Sequence, residues 1–330
     1  MKRDRKTLLS LFLILICVIL FFYKFNIREI IAVINLMPVH VILSVLLLHI
    51  ITLVLGAFKW YLMLAGIGQR NKMGLIFNIH ISTMYFDNIT PGAKMGGEGV
   101  RLYLTRRLLD IDYASVTGLI GLDKVTTMVP FILMCIMALV GQWSYFYKSS
   151  LGRWIFIVLL FLTFIILIAI VAMLNLGRKG NNINNSKPSR VKSFLANAGH
   201  VFRMLFTSKR EAFLLFLLSA IIWSSYLLKM YILALAIGVN IPFHTLSSAS
   251  ILAYLAGMLP LTPGGLGFFD GTIGGILLLF NVDELAIGTL VLLYRLTTYF
   301  FTLLLGGISS IILFNKVNEK KIIDKGGYKC

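Results

Sequence analysis

Hydrophobic residues gather in long runs along this chain. Such runs lie at 7–23, 39–57, 113–141, 154–176, 212–238 and 284–314, and stretches near 20 residues are long enough to cross the roughly 30 Å hydrocarbon core of a bilayer as helices. Two further stretches, 73–104 and 245–281, are weaker or interrupted. The pattern predicts an all-α polytopic membrane protein with about six full transmembrane helices plus two broken or re-entrant helical hairpins. The whole of 1–330 reads as a single integral membrane domain, with 177–210 as a basic loop.

Composition agrees. The chain is 58% hydrophobic, 13% charged and has a mean hydropathy of +0.90, values foreign to a soluble domain of this size. Its longest polar stretch, about 177–210, leaves no room for a nucleotide- or tRNA-using catalytic domain. The first apolar run follows Lys2, Arg3, Arg5 and Lys6; its core, Leu8 to Phe22, is long for a signal sequence, and no small-x-small site precedes Lys24. An uncleaved anchor is expected. Cys17, Cys135 and Cys330 form neither a metal-ligand spacing nor a disulfide framework, and no cofactor is expected.

A net charge of +18 raises the question of nucleic acid, which the distribution of charge answers. With a cytoplasmic N-terminus and each interrupted stretch entering and leaving on one side, 24 of the 31 basic residues fall in cytoplasmic segments. Those segments are 2–6, 59–72, 94–107, 178–210 and 316–329. Lys24, Arg28, Lys148 and Arg153 fall outside. This asymmetry obeys the positive-inside rule and predicts a multi-pass protein of the cell membrane with both termini cytoplasmic. The expected partners are membrane phospholipids or lipid-linked headgroups, with a separate lipid-modifying enzyme as a further candidate; nucleic acid is not expected.

The two interruptions resemble one another. "TPGAKMGGEG" begins at Thr90 and "TPGGLGFFDG" at Thr262. Lys124 lies 26 positions after Glu98, in "LDKVTT"; Arg295 lies 25 positions after Asp270, in "LYRLTT". Three predicted crossings separate the two breaks, so the hairpins enter from opposite faces, the first from the cytoplasm. We therefore expect inverted repeat halves at about 39–141 and 212–314. The spacing of the second predicts limbs 245–261 and 266–281, each about 24 Å if helical. At each break proline and glycine end one helix, and proline suits the first turn of the next with threonine as its cap. Free amides at such a start attract anions such as phosphate; the plain alternative is a tight turn with glycines for close packing.

Charges inside apolar runs are costly and are functional suspects. Asp123, Lys124 and Arg295 qualify, and the expected partnerships are Asp123 with Arg295 and Lys124 with Glu98 or Asp270. A purely structural ion pair is the alternative. Lys229, nearer a helix end, is expected to snorkel outward. His49 and His80 read as packed hydrogen-bonding residues, and Asp87 and Asn88 as capping or lining the first break. No GxSxG, HExxH or Walker loop is present.

"DNITPGAKMGGEGVRLYLTRR" and "LPLTPGGLGFFDG", in this order and on this hydropathy background, resemble the lysylphosphatidylglycerol synthase transmembrane region, a flippase-like membrane family. Pro91, Gly97, Glu98 and Arg101 match the first family motif, and Pro263, Gly264, Gly265 and Gly267 the second. Asp270 stands where many relatives have glutamate nearby. The resemblance implies movement of a modified lipid across the bilayer. In multidomain relatives a cytosolic transferase domain aminoacylates phosphatidylglycerol, and this sequence carries no such domain. Residues and resemblance together predict flipping or scrambling of a polar, phosphate-bearing lipid. The candidate binding residues are Thr90, Pro91, Gly92, Gly97, Glu98, Arg101, Asp123, Lys124, Thr262, Pro263, Gly264, Gly265, Gly267, Asp270 and Arg295. A membrane-embedded lipid-modifying transferase, or a non-transporting partner of one, is the alternative; no catalytic or metal-binding residue is assigned.

Overall fold

The computed structural model describes residues 32, 37–70, 72–90, 95–148, 150–179, 208–259 and 262–326. The first apolar run, Pro91, Gly92 and most of the basic loop lie outside the described residues. The elements are α1 (Val39–Gly66), α2 (Met73–Ile89), α3 (Met95–Leu109), α4 (Tyr113–Gly141), α5 (Trp143–Lys148), α6 (Ser150–Lys179), α7 (Lys209–Ala236), α8 (Phe243–Gly257), α9 (Phe268–Leu279), α10 (Glu284–Arg295) and α11 (Phe301–Gly326). A single 3₁₀ turn, Pro263–Gly265, follows α8, and a π-helical turn, Leu296–Phe300, joins α10 to α11. The protein is a helical polytopic membrane protein. Among the described residues four helical stretches are long and apolar enough to span: Val39–Gly66, Tyr113–Gly141, Lys209–Ala236 and Glu284–Lys320. Their outward faces suit lipid: Leu43, Leu47 and Val54 on α1, like Phe161, Phe164 and Ile168 on α6, stand exposed. Exposed Trp143, Tyr147 and Trp154 cluster around the α4–α6 connection, as aromatic residues do at the membrane interface.

The order of long helix, two-limbed hairpin, long helix occurs twice, as α1–α4 and as α7–α11 without α5 and α6. The correspondence is close. α1 and α7 both have 28 residues and start 170 positions apart, as do α2 and α8. Gly68 and Gly238, just past the ends of α1 and α7, have φ of 81° and 79°. Asp110 and Asn281, 171 positions apart, are the only described non-glycine residues with positive φ, both at 56°. The next helices then begin on matching aspartate caps: Asp112 accepts from the Ser115 amide at 2.9 Å, and Asp283 from the Leu285 amide at 3.0 Å.

The two series pack head to tail. Across the α1–α7 contact, Thr52 meets Ser225 at 2.8 Å while His49, one turn earlier, meets Lys229, one turn later, at 3.1 Å. α1 and α7 therefore run antiparallel. Each hairpin packs on the last long helix of the other series, α2 on α11 and α8 on α4. Lys229 does not snorkel: at 0% exposure it is held inside this α1–α7 contact by His49 and Thr52. Lys59, counted by sequence among the cytoplasmic loop residues, is also buried, because α1 runs on to Gly66.

Differences from expectation are largest at the second hairpin. Its limbs have 15 and 12 residues, roughly 22 Å and 18 Å at 1.5 Å per residue, shorter than expected. Gly264, Gly265 and Gly267 take φ of 58°, 68° and 86°, so the break is wide and left-handed rather than a brief kink. The last stretch is longer than its apolar run. Glu284–Lys320 would reach about 55 Å if straight, so part of it leaves the bilayer. There Lys320 pairs with Asp110 at 2.5 Å, tying the chain's last helix to the end of the first hairpin.

Candidate functional site

Three helices of the first series bring a row of charges together. α1 supplies Lys59, α3 supplies Glu98 and Arg101, and α4 supplies Asp123 and Lys124. Asp123 lies at the centre, with Lys59 Nζ at 2.9 Å from one oxygen and Arg101 NH1 at 2.8 Å from the other. Lys59 also donates to Thr127 Oγ1 at 2.6 Å. Lys124 pairs with Glu98 at 2.6 Å, and Arg101 reaches Glu98 at 3.7 Å. The Arg101 guanidinium lies 4.6 Å above the Trp60 ring and 3.5 Å from His80 Nδ1. Asp123 and Lys124 are about 11 residues into α4, roughly 16 Å along the helix from its start. The spacing places Glu98 and Arg101 one turn apart on α3, so both face α4.

This arrangement depends on α3 lying close to α2. A Cβ on Gly97 would collide with the Thr83 carbonyl and the Asp87 carboxylate, while the Gly97 amide donates to Asp87 Oδ1 at 3.1 Å. Asp87 thus caps the start of α3 from the neighbouring limb. Thr90 closes α2 by donating its hydroxyl to the Phe86 carbonyl at 2.6 Å.

In the second series one residue does the gathering. Arg295 Nε meets Asp270 Oδ1 at 2.8 Å, NH1 donates to the Gly264 carbonyl at 3.1 Å, and NH2 to the Gly265 carbonyl at 3.3 Å. Its guanidinium also lies 4.6 Å from the Phe269 ring centre and 5.5 Å from that of Tyr299. Each of the three nitrogens thereby donates one bond to the broken hairpin, and the left-handed turn is clamped. Arg295 sits about 11 residues into α10, roughly 16 Å from its start. The other Asp270 oxygen accepts from the Gly267 amide at 2.8 Å.

Several expectations change at this level. Asp123 and Arg295 are not partners; each is paired within its own series, because the hairpin limb that carries the acid or arginine packs on the long helix that follows it. The spacing parallel holds instead: Glu98 pairs with Lys124 as Asp270 pairs with Arg295. Thr262 makes no capping bond; Pro263 opens only the short 3₁₀ turn, and α9 starts on Gly267 with Asp270 as its capping carboxylate. Amides of the second break are engaged internally, Gly265 with Thr262, Leu266 with Pro263 and Gly267 with Asp270, so these three do not face an incoming anion. His80 and His49 are packed hydrogen-bonders as expected. Lys59 was missed, although Lys59-Trp60-Tyr61 and Lys229-Met230-Tyr231 repeat at 170 positions and were a legible signal.

Accessibility grades the row. The Lys124 and Asp270 side chains are each 26% exposed, Asp123 19% and Glu98 14%, against 3% for Lys59 and 5% for Arg101. Lys59 and Arg101 therefore hold Asp123 from within, while Lys124 and Asp270 stand at the edges of their clusters. Glu98 Oε2, the Arg101 Nε and the Thr262 hydroxyl are buried without a hydrogen-bond partner, so each retains bonding capacity.

Comparison with known proteins finds relatives that match over most of this chain. A UPF0104 membrane protein of Methanothermobacter thermautotrophicus is 26% identical over 310 residues, covering 87% of this chain and 89% of that protein. One from Pyrococcus horikoshii is 22% identical over 293 residues, covering 83% and 87%. A phosphatidylglycerol lysyltransferase of Staphylococcus xylosus is 35% identical over 104 residues, which are 32% of this chain and 12% of that enzyme. Residues 7–306 match the model of the lysylphosphatidylglycerol synthase TM region. With nearly its whole length matched, the chain belongs to the lysylphosphatidylglycerol synthase transmembrane-region family.

Proposed function

We propose that this protein translocates a polar, phosphate-bearing lipid between the leaflets of the cell membrane, with both termini in the cytoplasm. The observation that carries the reading is the repeated order of elements in α1–α4 and α7–α11, each with one interrupted hairpin, together with the antiparallel packing of α1 on α7. Inverted repeats with interrupted helices at matching positions are the architecture of secondary transporters, whose substrate sits between the halves. In this reading 39–141 and 212–314 are the repeat halves, and their hairpins alternate in opening to the two faces. Lys124, at the accessible edge of the first cluster, draws the headgroup phosphate. Glu98 competes for Lys124 and keeps binding reversible. Arg101, Asp123, Thr90 and Gly97 flank the first break, whose Pro91 and Gly92 lie outside the described residues, while Thr262, Pro263, Gly264, Gly265, Gly267, Asp270 and Arg295 shape the second. The short match to a lysyltransferase supports a second reading, a membrane-embedded lipid-modifying transferase or a non-transporting partner of one.

Two measurements test the proposal. Arg70→Cys and Asn240→Cys, matching positions 170 apart, are labelled from each face in a background without the native cysteines; the expected result is labelling from opposite faces. Purified protein in vesicles with fluorescent phosphatidylglycerol is then expected to expose inner-leaflet lipid to an external quencher. Labelling from one face removes the inverted-repeat basis, and vesicles that behave like protein-free controls favour the second reading.

A further inference from the structure

Lys229 occupies in α7 the position that Lys59 occupies in α1, 170 residues earlier. The two lysines have different company. Lys59 is neutralised by Asp123 at 2.9 Å. The residue matching Asp123 in the second series, 171 positions on, is Tyr294, which carries no acid. Lys229 Nζ instead meets His49 Nδ1 at 3.1 Å and Thr52 Oγ1 at 3.1 Å, with the Tyr226 ring centre 3.9 Å away. His49 Nε2 passes the contact on to Thr302 Oγ1 at 2.8 Å. Among the described residues no acidic side chain pairs with Lys229.

The neighbours of this cluster are few in kind. α1 presents His49, α7 itself Tyr226, α8 Tyr254 and α10 Tyr294, the last two joined through their hydroxyls at 2.5 Å. α4 meets α7 through Phe131 and the Thr127 carbonyl at Trp223, and α11 brings the Phe301 ring and Thr302. An ammonium and an imidazolium 3.1 Å apart, removed from water and without an acid, do not both persist, because like charges at that distance repel strongly in a medium of low dielectric. The pair therefore holds one positive charge at most. An anion reaching the α1–α7 interface would supply the counter-charge that Asp123 supplies to Lys59. Anion binding and proton binding there favour each other reciprocally.

Building on the transport reading, we propose that Lys229 and His49 form a proton-loading site that is charged when an anionic headgroup lies between the halves and empty of charge when it does not. One proton taken from the entry side binds at Lys229 Nζ, crosses with one lipid phosphate monoanion as a neutral complex, and is released with the lipid on the other side. Transport is then a one-proton symport rather than passive scrambling.

The test uses the full chain in phosphatidylcholine vesicles with tracer fluorescent phosphatidylglycerol and a pH difference of one unit. The steady-state leaflet ratio is read by external quenching and corrected for protein-free vesicles. One proton per lipid predicts up to about tenfold enrichment in the leaflet on the alkaline side, since one pH unit corresponds to a tenfold ratio. Lys229→Gln is expected to abolish the enrichment, and Lys229→His, which keeps a titratable base, to restore part of it. An even distribution from a wild type that moves lipid overturns the inference and leaves transport standing. Enrichment on the acidic side, an undiminished ratio in Lys229→Gln, or no recovery in folded Lys229→His also overturns it. A wild type that moves no lipid with or without the gradient removes the transport reading, and the symport with it.

Discussion

Replacing Asp123 with asparagine keeps the shape of the side chain and removes the charge on which two cations converge, at 2.9 Å and 2.8 Å. The consequences for those cations differ. Arg101 retains Glu98 at 3.7 Å and the Trp60 ring at 4.6 Å. Lys59 retains only neutral acceptors, Thr127 Oγ1 at 2.6 Å, the backbone carbonyl of residue 123 at 3.5 Å and the amide oxygen of the new side chain, and its own side chain is 3% exposed. The cost therefore falls on Lys59. A lone cation at the centre of a spanning helix costs about 2.5–3.5 kcal/mol, and breaking one partner of a buried pair costs about 3–5 kcal/mol. Asp123 is itself 19% exposed, so water relieves part of the loss and the lower range applies. We expect Asp123→Asn to destabilise the protein by about 3 kcal/mol. Lys59→Met in the same chain removes the stranded charge with its acid and should recover at least about 1.5 kcal/mol. Reversible unfolding in mixed micelles, followed by tryptophan fluorescence, reads both. A single variant within about 1 kcal/mol of wild type, or strictly additive losses in the pair, would refute the reasoning that Asp123 is the acid on which Lys59 depends.

Other outcomes follow from the same geometry. Neutralising Asp123 and Arg295 together should be additive to within about 0.5 kcal/mol, since they share no partner; a double variant milder than either single one would restore the cross-series pair. Arg295→Lys cannot reach Asp270, Gly264 and Gly265 at once, so it should cost about 2 kcal/mol and speed labelling of a cysteine at Leu266; unchanged labelling would mean the turn holds without the clamp. Gly264→Ala combines φ of 58° with a collision against the Tyr299 ring, and thermal unfolding should register about 1–2 kcal/mol from the left-handed backbone alone, with the remainder recovered by Tyr299→Leu.

The helical runs were legible because a bilayer demands long apolar stretches whatever their neighbours. The acid-to-base spacing of each interrupted hairpin was also legible, yet it settled only part of the pairing: Lys124 takes Glu98, one of its two expected partners, whereas Arg295 takes Asp270 and not the expected Asp123. Lys59 was hidden by its surroundings: the apolar run ends near residue 57, but α1 continues to Gly66 and draws the lysine inward. Lys229 misled for a related reason, since nearness to a helix end in sequence says nothing about whether another helix covers that end.

By itself, then, the sequence determined the all-helical membrane class, the two interruptions and their repeated spacing, because hydrophobic run length and helix-breaking residues act locally along the chain. Only the tertiary structure decided that Asp123 serves Lys59 and Arg101, that Arg295 clamps a turn, and that Lys229 faces His49 instead of an acid. Those choices depend on which helices touch and how each is rotated about its axis. That rotation is set by packing against neighbours far away in sequence, so residues of similar depth and complementary charge can still lie on faces that never meet.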